Sequence, residues 1–552
     1  MFPVFVSLFK RQVPEQNKMA SNGLLLFTST RYAVTSNCIK HNLQHAAKKL
    51  TAGVLYVYQW LPSQSGGPAS RAKTEDISTQ ISRFSLVSSR VYCAAQTLCP
   101  HLDIRCLYEK SINNGSNRPS VPVDLVMVER NTGHTVGTNV ITPHVVRKFV
   151  SQNFRVANSF EVEFVNDPSK EKVPSEIPPA PSARLFGVVG VGGTFDRIHN
   201  AHKVLLTEAV IRCEKDLNLA VVHDKMTKNK TLGELIEPFE TRKEKAVAFC
   251  KDLVPHLQIS VLPLTDAIGS TATDHFDLLV ASAETSAGLE LINKMRKDNG
   301  LNPAELLTIN VLDDQSKMND MEEDKISSSS QRIRLLGSRL KPPLKSPSLP
   351  YIIGITGGTC CGKTTISAFM ETLGVPSINS DSMDHETYKN GSKCFDKVVN
   401  AFGKDVVSSS GDSIDRKALG KKVYASKQAM NKLHAIVWPE IKQLVLEQIN
   451  YHTKQGAKAI ILDASFLLEA KWDDLCHDIW VITIPNEEAI KRVQSRDKVS
   501  KEVAVRKVGS QVSSQKRIQR ATFVFSTMWD EKFTKSQVKK AWSIIESSIL
   551  RL

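Results

Sequence analysis

The feature that most constrains this chain is Tyr351–Thr365 (YIIGITGGTCCGKTT), where an apolar run passes directly into glycines. The run predicts a buried strand at Tyr351–Thr356, and the following residues match G-x-x-x-x-G-K-[ST] before a helical pattern at Thr364–Leu373. Glycines let backbone N–H groups face an anion, and the start of a helix adds positive potential. Lys363 would then reach the β- and γ-phosphates, while Thr364 would ligate Mg²⁺. The predicted ATP-binding residues of this loop are Gly357, Gly358, Thr359, Cys360, Cys361, Gly362, Lys363, Thr364 and Thr365.

Two proline-rich stretches divide the chain, which at 552 residues is too long for one hydrophobic core. Asp167–Ala183 and Leu340–Pro350 have the composition of extended linkers. They leave a central module at 184–339 and a C-terminal module at 351–552. Both modules alternate strand and helix patterns, which predicts an α/β fold with two doubly wound parallel sheets. No short internal repeat is present.

Apolar runs bounded by turn residues give the predicted strands. In the central module these are Leu185–Val191, Leu217–Val222, Ile259–Leu264, Leu278–Ser282 and Leu306–Leu312, with helices beginning near Ala201, Thr241, Gly288 and Ser328. In the C-terminal module they are Tyr351–Thr356, Ala459–Ala464, Ile479–Ile484 and Thr522–Ser526, with the longest helix at Lys427–Gln455. The N-terminal region has strand-like pieces at Val54–Trp60 and Val123–Val128, and its fold stays open.

The first 74 residues carry nine Lys and Arg against one acid, Glu15, and begin with an apolar run. This composition predicts a mitochondrial presequence or a peripheral membrane anchor, and hence a mitochondrial or cytoplasmic location. An ordinary tail is the alternative, and Met19 could serve as a second start. Residues 75–166 have no predicted role.

The net charge of +15 is concentrated in this leader and in the C-terminal module. No nucleic-acid-binding module is recognisable, so polyanionic nucleotide substrates account better for the basic C-terminal module. The ten cysteines form no C-x-x-C pair, and Cys360 and Cys361 lie inside the phosphate loop, where a disulfide would disable it. A reducing compartment is therefore predicted. Cys93, Cys99 and Cys106 are spaced poorly for zinc.

A kinase needs a group that deprotonates the acceptor hydroxyl, and Asp381 follows a strand-like piece at Val375–Asn379. Its place at the carboxyl end of a strand makes it the general-base candidate. His385 lies one helical turn later. Arg496 and Arg506 belong to a basic stretch that would form a lid over the transferring phosphates, with a solvated charged helix as the alternative.

The C-terminal module resembles the dephospho-coenzyme A kinase family throughout 351–552. The resemblance rests on the phosphate loop and on Ser380–His385, Ile414–Arg416, Trp438-Pro439, Leu467–Glu469 and Arg496-Asp497. It implies phosphorylation of dephospho-coenzyme A by ATP with Mg²⁺, and substrate binding by His385, Asp415 and Arg416. Asn379 stands where the family usually has an aspartate, which leaves Asp381 as the base. Cys360 and Cys361 replace the usual glycine and serine.

The central module opens with GGTFDRIHNAH, Gly192–His202, after a predicted strand and before a helix. Histidines three residues apart at a helix start share a face and could bind phosphates there. The pattern resembles the H-x-G-H signature of nucleotidylyltransferases, with Ala201 in place of glycine. A second segment resembles that superfamily's other signature, in which serines cap a helix and cradle a phosphate. Its residues are Lys325, Ser327, Ser328, Ser329, Ser330, Arg332 and Arg334.

Residues 185–337 also resemble phosphopantetheine adenylyltransferases. The resemblance implies adenylyl transfer from ATP to 4′-phosphopantetheine, stabilised by Thr194, His199, His202, Lys228 and Lys230, with Arg296 contacting substrate. The two modules would then catalyse consecutive steps of coenzyme A biosynthesis. The alternatives are a nucleotidyltransferase–kinase fusion with other small-molecule substrates, and a catalytically silent nucleotide-binding scaffold. The oligomeric state stays open.

Overall fold

The structure of the protein is a computed structural model. It describes residues 20–28, 35–60, 76–108, 119–130, 141–166, 178–227, 229–266, 268–423 and 426–549. These residues form three parallel sheets of five strands each. The chain divides into one unit of Met1–Lys230 and Ile236–Ser330, and a second of Thr231–Leu235 and Gln331–Leu552. The first unit holds two sheets and the second holds the third.

The first sheet has the strand order β3-β2-β1-β4-β5. Its central strand reads GLLLF, and Leu24, Leu25 and Leu26 are fully buried because helices cover both faces. The elements are β1 (Gly23–Phe27), α1 (Ser36–Lys49), β2 (Gly53–Gln59), α2 (Ile77–Leu98), β3 (Leu102–Leu107), β4 (Val123–Arg130), α3 (Pro143–Asn153) and β5 (Val156–Asn166).

This sheet corrects the predicted boundary at residue 74. Strands β1 and β2 and helix α1 all fall within the predicted leader, and β1 pairs with both β2 and β4. A segment that supplies the central strand cannot be a detachable leader, because its removal would open the hydrophobic core. Residues 1–19 lie outside the described residues, so targeting or anchoring stays a prediction for them alone. The strands predicted at Val54–Trp60 and Val123–Val128 are confirmed as β2 and β4.

The second sheet belongs to the central module, with the order β10-β9-β6-β7-β8. Its strands are parallel, as the alternating pattern predicts. Each predicted strand is confirmed, with ends that differ by up to four residues. The elements are β6 (Phe186–Gly193), α4 (Asn200–Arg212), β7 (Cys213–Val222), α5 (Phe239–Leu253), β8 (Gln258–Leu264), β9 (Leu278–Ser282), α6 (Ser286–Asp298), β10 (Glu305–Ile309) and α7 (Ser328–Leu335).

The third sheet forms the C-terminal module, with the order β12-β13-β11-β14-β15. Strand β11 is buried along its whole length and leads into the phosphate loop. The elements are β11 (Tyr351–Gly357), α8 (Lys363–Thr372), β12 (Ser377–Asn379), α9 (Asp384–Thr387), α10 (Lys393–Phe402), α11 (Arg416–Val423), α12 (Lys427–Lys454), β13 (Ala459–Asp463), β14 (Asp478–Thr483), α13 (Asn486–Asp497), α14 (Lys501–Gly509), α15 (Ser514–Ile518), β15 (Phe523–Ser526) and α16 (Glu531–Ile549).

Across the part of the chain described above, no helix combines the length and the apolar character that crossing a bilayer requires.

Candidate active sites

The histidine pair of the central module lies at the start of helix α4, beyond the carboxyl end of β6. His199 is the N-cap, and its Nδ1 accepts a hydrogen bond from the backbone N–H of His202 at 3.5 Å. The two imidazole rings stack with centroids 3.8 Å apart. Ala201 lies within the regular helix, where alanine is favoured, so the helix itself does not need the family's glycine at this position.

The pKa of His202 falls from its usual value to about 3, mainly because the ring is buried and secondarily because Lys230 is near. The imidazole is therefore neutral at physiological pH. Its Nδ1 is buried without a hydrogen-bond partner in the described structure. A neutral imidazole with an unused nitrogen can donate to, or accept from, a bound polar group. Lys228 lies outside the described residues.

Arg242 belongs to a segment, Pro238–Arg242, that resembles phosphopantetheine adenylyltransferases, but no individual role is predicted for it from the sequence; in the structure it holds the loop that precedes the histidines. The residue is fully buried, and its guanidinium donates to the carbonyls of Thr194 at 2.7 Å and Val222 at 2.8 Å. A third contact reaches the carboxylate of Asp224 at 2.7 Å. These bonds tie the ends of β6 and β7 together and fix the position of Thr194. The arginine lies 48 residues from Thr194 in sequence, and nothing in its own neighbourhood predicts burial.

The serine run meets the histidine pair at the start of α7. Ser328 donates to the carbonyl of Asp196 at 2.9 Å, and its hydroxyl lies 3.4 Å from Nε2 of His199. Ser327 accepts from the backbone N–H of Ser330 at 3.1 Å, which is the capping bond that the sequence predicts. The structure thus brings the two signatures of the central module together.

Other predicted residues of the central module have structural contacts. Arg296 is 1% exposed and donates to the carbonyls of Asn302, Thr271 and Asp274. These bonds would have to break before the side chain could contact a substrate. Arg332 is also 1% exposed, and its Nε donates to a backbone carbonyl at 2.8 Å.

The phosphate loop of the C-terminal module is shaped by its glycines. Gly362 has a φ of +91° and is the N-cap of α8 without a side-chain cap, so the first N–H groups of α8 are available to an anion. A Cβ at this position would meet Cγ2 of Thr527 at 2.8 Å. Cys361 is buried beneath the loop, and burial raises the pKa of its thiol. Cys360 takes a φ of +56°, which is unusual for a residue with a side chain.

Residues outside the loop fix its position through hydrogen bonds to its backbone carbonyls. Thr527 donates to the carbonyl of Cys361 at 2.8 Å, and Arg492 bonds both Thr527 and the carbonyl of Cys360. Nη2 of Arg496 lies 3.4 Å from the hydroxyl of Thr359. The predicted lid arginine Arg496 is therefore beside the loop, whereas Arg506 is exposed on α14.

Two carboxylates lie at the carboxyl ends of neighbouring strands. Asp381 follows β12, and its oxygens accept from the backbone N–H and the hydroxyl of Ser465. Asp463 ends β13 and accepts from the hydroxyl of Ser367 at 3.1 Å, while its Oδ1 has no partner in the described structure. Burial raises the pKa of Asp463, an effect that Lys363 opposes and Asp381 reinforces. The sequence analysis missed Asp463, although four apolar residues followed by an aspartate were a usable signal.

A buried arginine was also missed. Arg517 is 3% exposed, its Nη1 lies beside Gly358, and its Nη2 lies 3.4 Å from the carboxylate of Glu469. Its Nε and Oε2 of Glu469 have no hydrogen-bond partner in the described part of the chain. In the sequence this arginine looks like its exposed neighbours Lys516 and Arg520.

The remaining predicted substrate residues belong to two short helices, α9 and α11, and to the residue before α11. Oδ1 of Asp415 accepts from the N–H groups of Lys417 and Ala418 and so caps helix α11. The guanidinium of Arg416 lies 5.9 Å from the ring centroid of Tyr388. His385 falls in helix α9, and its side chain is outside the described part of the structure.

Comparison with known proteins gives two matches that follow the module boundaries. Residues 351–528 match the dephospho-CoA kinase family, and residues 191–334 match the cytidylyltransferase-like family. The chain is 32% identical over 187 residues to a dephospho-CoA kinase of Carboxydothermus hydrogenoformans, covering 34% of this chain and 90% of the relative. A dephospho-CoA kinase of Dehalococcoides mccartyi is 33% identical over 176 residues, which are 32% of this chain and 87% of that protein.

The C-terminal module belongs to the dephospho-CoA kinase family. The chain as a whole is a fusion of a cytidylyltransferase-like domain with a dephospho-CoA kinase domain, as the sequence predicts. In the kinase domain the structure brings together the predicted residues Lys363, Asp381 and Arg496. It also places Asp463 and Arg517, which were not predicted, beside them. In the cytidylyltransferase-like domain it brings together Thr194, His199, His202, Lys230 and Ser328. The predicted roles of all these residues stay proposals.

Proposed function

We propose that the protein makes coenzyme A in two consecutive steps, as a bifunctional coenzyme A synthase does. The first step joins the adenylyl group of ATP to 4′-phosphopantetheine, and the second phosphorylates the ribose 3′-hydroxyl of dephospho-coenzyme A. The observation that carries the proposal is the presence in one chain of the stacked His199–His202 pair and a dephospho-CoA kinase domain. The product of the first step is the substrate of the second.

In the first step, a phosphate oxygen of 4′-phosphopantetheine attacks the α-phosphorus of ATP. The bond from that phosphorus to the bridging oxygen breaks, and pyrophosphate leaves, so no side-chain nucleophile is needed. The residues act by stabilising negative charge that grows on the phosphate oxygens. His202 is suited to donate a hydrogen bond, because its low pKa keeps the imidazole neutral in a buried site. His199, Lys230, Lys228, Thr194 and the serines at the start of α7 would add further donors.

In the second step, Asp381 accepts the proton of the 3′-hydroxyl while that oxygen attacks the γ-phosphorus of a second ATP. The bond from the γ-phosphorus to its bridging oxygen breaks, and ADP leaves. Lys363 stabilises charge on the β- and γ-phosphates, and the N–H groups at the start of α8 hold them. Arg496 and Arg517 can contribute further positive charge beside the loop.

The donor set beside the loop also fits Mg²⁺. Thr364 offers a hydroxyl, and Asp463 offers an Oδ1 that is buried without a partner in the described structure. Oxygen ligands of this kind are those that Mg²⁺ prefers. When bound, the ion would neutralise charge on the phosphates of ATP.

The experiment is to incubate the full chain with 4′-phosphopantetheine, ATP and Mg²⁺ and to follow dephospho-coenzyme A and coenzyme A by mass spectrometry. We expect coenzyme A from the unmodified protein. Lys363→Ala should accumulate dephospho-coenzyme A. His202→Ala should stop the first step yet still phosphorylate supplied dephospho-coenzyme A. Lys397→Ala, which removes an exposed lysine of the kinase domain, is the matched control.

Two results would contradict the proposal. If Lys363→Ala and His202→Ala each abolished both reactions in folded protein, the division between the domains would be wrong. If the unmodified protein phosphorylated dephospho-coenzyme A but left 4′-phosphopantetheine unchanged, the central domain would act on another substrate.

A further inference from the structure

The first sheet and the central sheet repeat the same fold. The first reads β1-α1-β2-α2-β3-β4-α3-β5, and the central one reads β6-α4-β7-α5-β8-β9-α6-β10. When the strands of each sheet are numbered from its own first strand, both sheets have the order 3-2-1-4-5, and all their strands are parallel. The first unit therefore contains two copies of one topology.

The starts of the first helices match in position. In the central copy, His199 caps α4 and accepts from the N–H of His202. In the first copy, Thr35 caps α1, and its hydroxyl accepts from the N–H of Cys38 at 3.2 Å. Thr35 and Cys38 therefore stand where the central copy has its histidines. Neither side chain offers an imidazole to a phosphate.

A carboxyl group also occupies the matching site of the first copy. Glu129, at the carboxyl end of β4, is 1% exposed and accepts from the thiol of Cys38 and from the N–H of Thr28. These atoms lie at the carboxyl ends of β1 and β4, the neighbouring strands at which the strand order reverses, and a parallel sheet of this order binds its ligand there. Phosphate needs hydrogen-bond donors, and among the described residues the Cys38 thiol and the Thr28 N–H donate to Glu129 instead.

The first copy instead contacts the helix that carries the catalytic histidines. Helices α1, α2 and α4 contribute to one continuous hydrophobic cluster, which includes Leu43, Tyr92 and Leu206. Asn200, the first of the two residues between His199 and His202, is 9% exposed, and its Nδ2 donates to the carbonyl of Tyr92 at 2.9 Å.

Lys203 gives the second contact. This residue follows His202 and is 4% exposed. Its ammonium donates to the carboxylate of Asp103 at 2.6 Å and to the carbonyl of Ile104 at 3.0 Å, both on strand β3. Arg105 also pairs with Asp103 at 2.7 Å. A buried ammonium costs free energy unless it is fully paired, so these bonds fix the rotation of α4 relative to β3.

We infer that the first sheet and its helices are a catalytically silent copy of the nucleotidyltransferase fold, and that this copy is a brace that positions α4 through Asn200 and Lys203. Both are positioning residues, because they act on His199 and His202 through the helix. The inference rests on the proposed reaction at these histidines. A displacement of about 1 Å at a reacting group can cost 10²-fold in rate, so a loosened helix would impair the first step.

The test is Lys203→Met in the full chain, which removes the ammonium and keeps a long apolar side chain. Asp103 keeps its partner Arg105 in this variant. We expect kcat of the first step to fall at least about tenfold, with smaller changes in KM and unchanged phosphorylation of supplied dephospho-coenzyme A. Hydrogen exchange at the backbone of residues 200–212 should become at least about tenfold faster. Lys203→Arg keeps a positive charge at this position, so it should lower kcat and quicken exchange less than Lys203→Met does.

The matched control is Arg184→Ala, which breaks an exposed ion pair with Glu305 at 2.6 Å in the same unit. It should change neither readout. If Lys203→Met left exchange in α4 unchanged, or quickened exchange without lowering kcat in an active enzyme, the positioning role would be wrong. If Lys203→Met quickened exchange in α4 but the unmodified protein made no dephospho-coenzyme A, the proposed function would be wrong. The structural role of Lys203 in holding α4 would still be supported.

The silence of the first copy has its own test. In the variant with both His199→Ala and His202→Ala, adenylyl transfer should fall by at least about 10²-fold. The opposite result would be a double variant that keeps more adenylyl transfer than this and loses the excess when Cys38→Ala is added. That result would mean that the first copy is active, and it would overturn its assignment as silent.

Discussion

The two proposed phosphate sites of this protein differ in which part of the chain would contact the anion. The phosphate loop of the kinase domain presents backbone N–H groups around Gly362, which has no side chain to cap α8. The cytidylyltransferase-like domain presents side chains, because His199 already caps α4 and stacks on His202. A site lined by backbone depends on which conformations its residues allow. A site lined by side chains depends on which residues they are.

The departures from the family patterns agree with this difference. Cys360 and Cys361 replace glycine and serine in the kinase loop, yet their side chains leave the N–H groups in place. Ala201 replaces glycine within α4, where a regular helix needs no special backbone freedom. We therefore expect neither departure to remove a phosphate contact.

The largest effect that would test the comparison is expected at Asp381, the side chain on which the backbone-lined site relies for chemistry. Asp381→Asn keeps the size and removes the base, so phosphorylation of dephospho-coenzyme A should fall about 10²- to 10⁴-fold. Adenylyl transfer, measured in the same sample, should be unchanged. Ser465→Ala removes the hydroxyl that bonds Asp381 and should have a smaller effect. An Asp381→Asn enzyme with more than about a tenth of the normal kcat would exclude this residue as the base.

A loop glycine should come next. Gly362→Ala places a Cβ at 2.8 Å from Thr527 and at a φ of +91°. The loop must shift, so phosphorylation should fall about 10²-fold. Ala201→Gly is the matching change in the other domain, and adenylyl transfer should stay within about threefold, because glycine in a helix costs only about 1 kcal/mol. Steady-state kinetics of both reactions on both variants would measure this. Equal losses in the two variants would contradict the distinction between the sites.

Much of the fold was predictable from the sequence. Apolar runs such as Leu278–Ser282 coincide with their strand, and the phosphate loop was identifiable because glycines at fixed spacing have few other uses. The predicted end of the leader at residue 74 was wrong for a physical reason. Basic residues and few acids describe a presequence, but they equally describe the exposed positions of α1, whose buried positions Ile39 and Leu43 pack in the core.

The sites were predictable only where a motif is local. His199, His202 and Lys363 belong to short patterns, whereas Arg242 and Arg517 are buried by partners far away in sequence. A lone arginine is usually exposed, so nothing near these two indicates otherwise. The repeated topology of the first unit was hidden for a similar reason. Strand order is a property of pairing, and two sheets can share it without sharing residues at matched positions.

A pH effect of intermediate size should separate the side-chain-lined site from the other. The pKa of His202 is about 3 in the folded protein and near 6.5 when unfolded. Below pH 6.5 the unfolded chain binds a proton at this residue that the folded site does not. The free energy of unfolding therefore decreases as the pH is lowered from 6.5 to about 3, by up to about 1.4 kcal/mol per pH unit. The free energy of unfolding can be measured by chemical denaturation at pH 5 and pH 7, with hydrogen exchange reporting on α4. The difference between the two pH values should be smaller in His202→Gln than in the unmodified protein. An unchanged dependence would mean that His202 is protonated in the folded protein.

The smallest effect is expected at Cys360, and it tests whether the kinase loop is indifferent to its side chains. The residue has a φ of +56°, where a Cβ costs about 1–2 kcal/mol, while glycine loses about 0.5–1 kcal/mol of conformational entropy on folding. Cys360→Gly should therefore raise the free energy of unfolding of the kinase domain by no more than about 1 kcal/mol. Its kcat should stay within about twofold, because every N–H group of the loop is retained. Cys360→Ala keeps the Cβ and should change neither quantity. A large loss of kcat in both variants would show that the thiol itself contacts ATP, and the kinase site would then depend on side chains as the other site does.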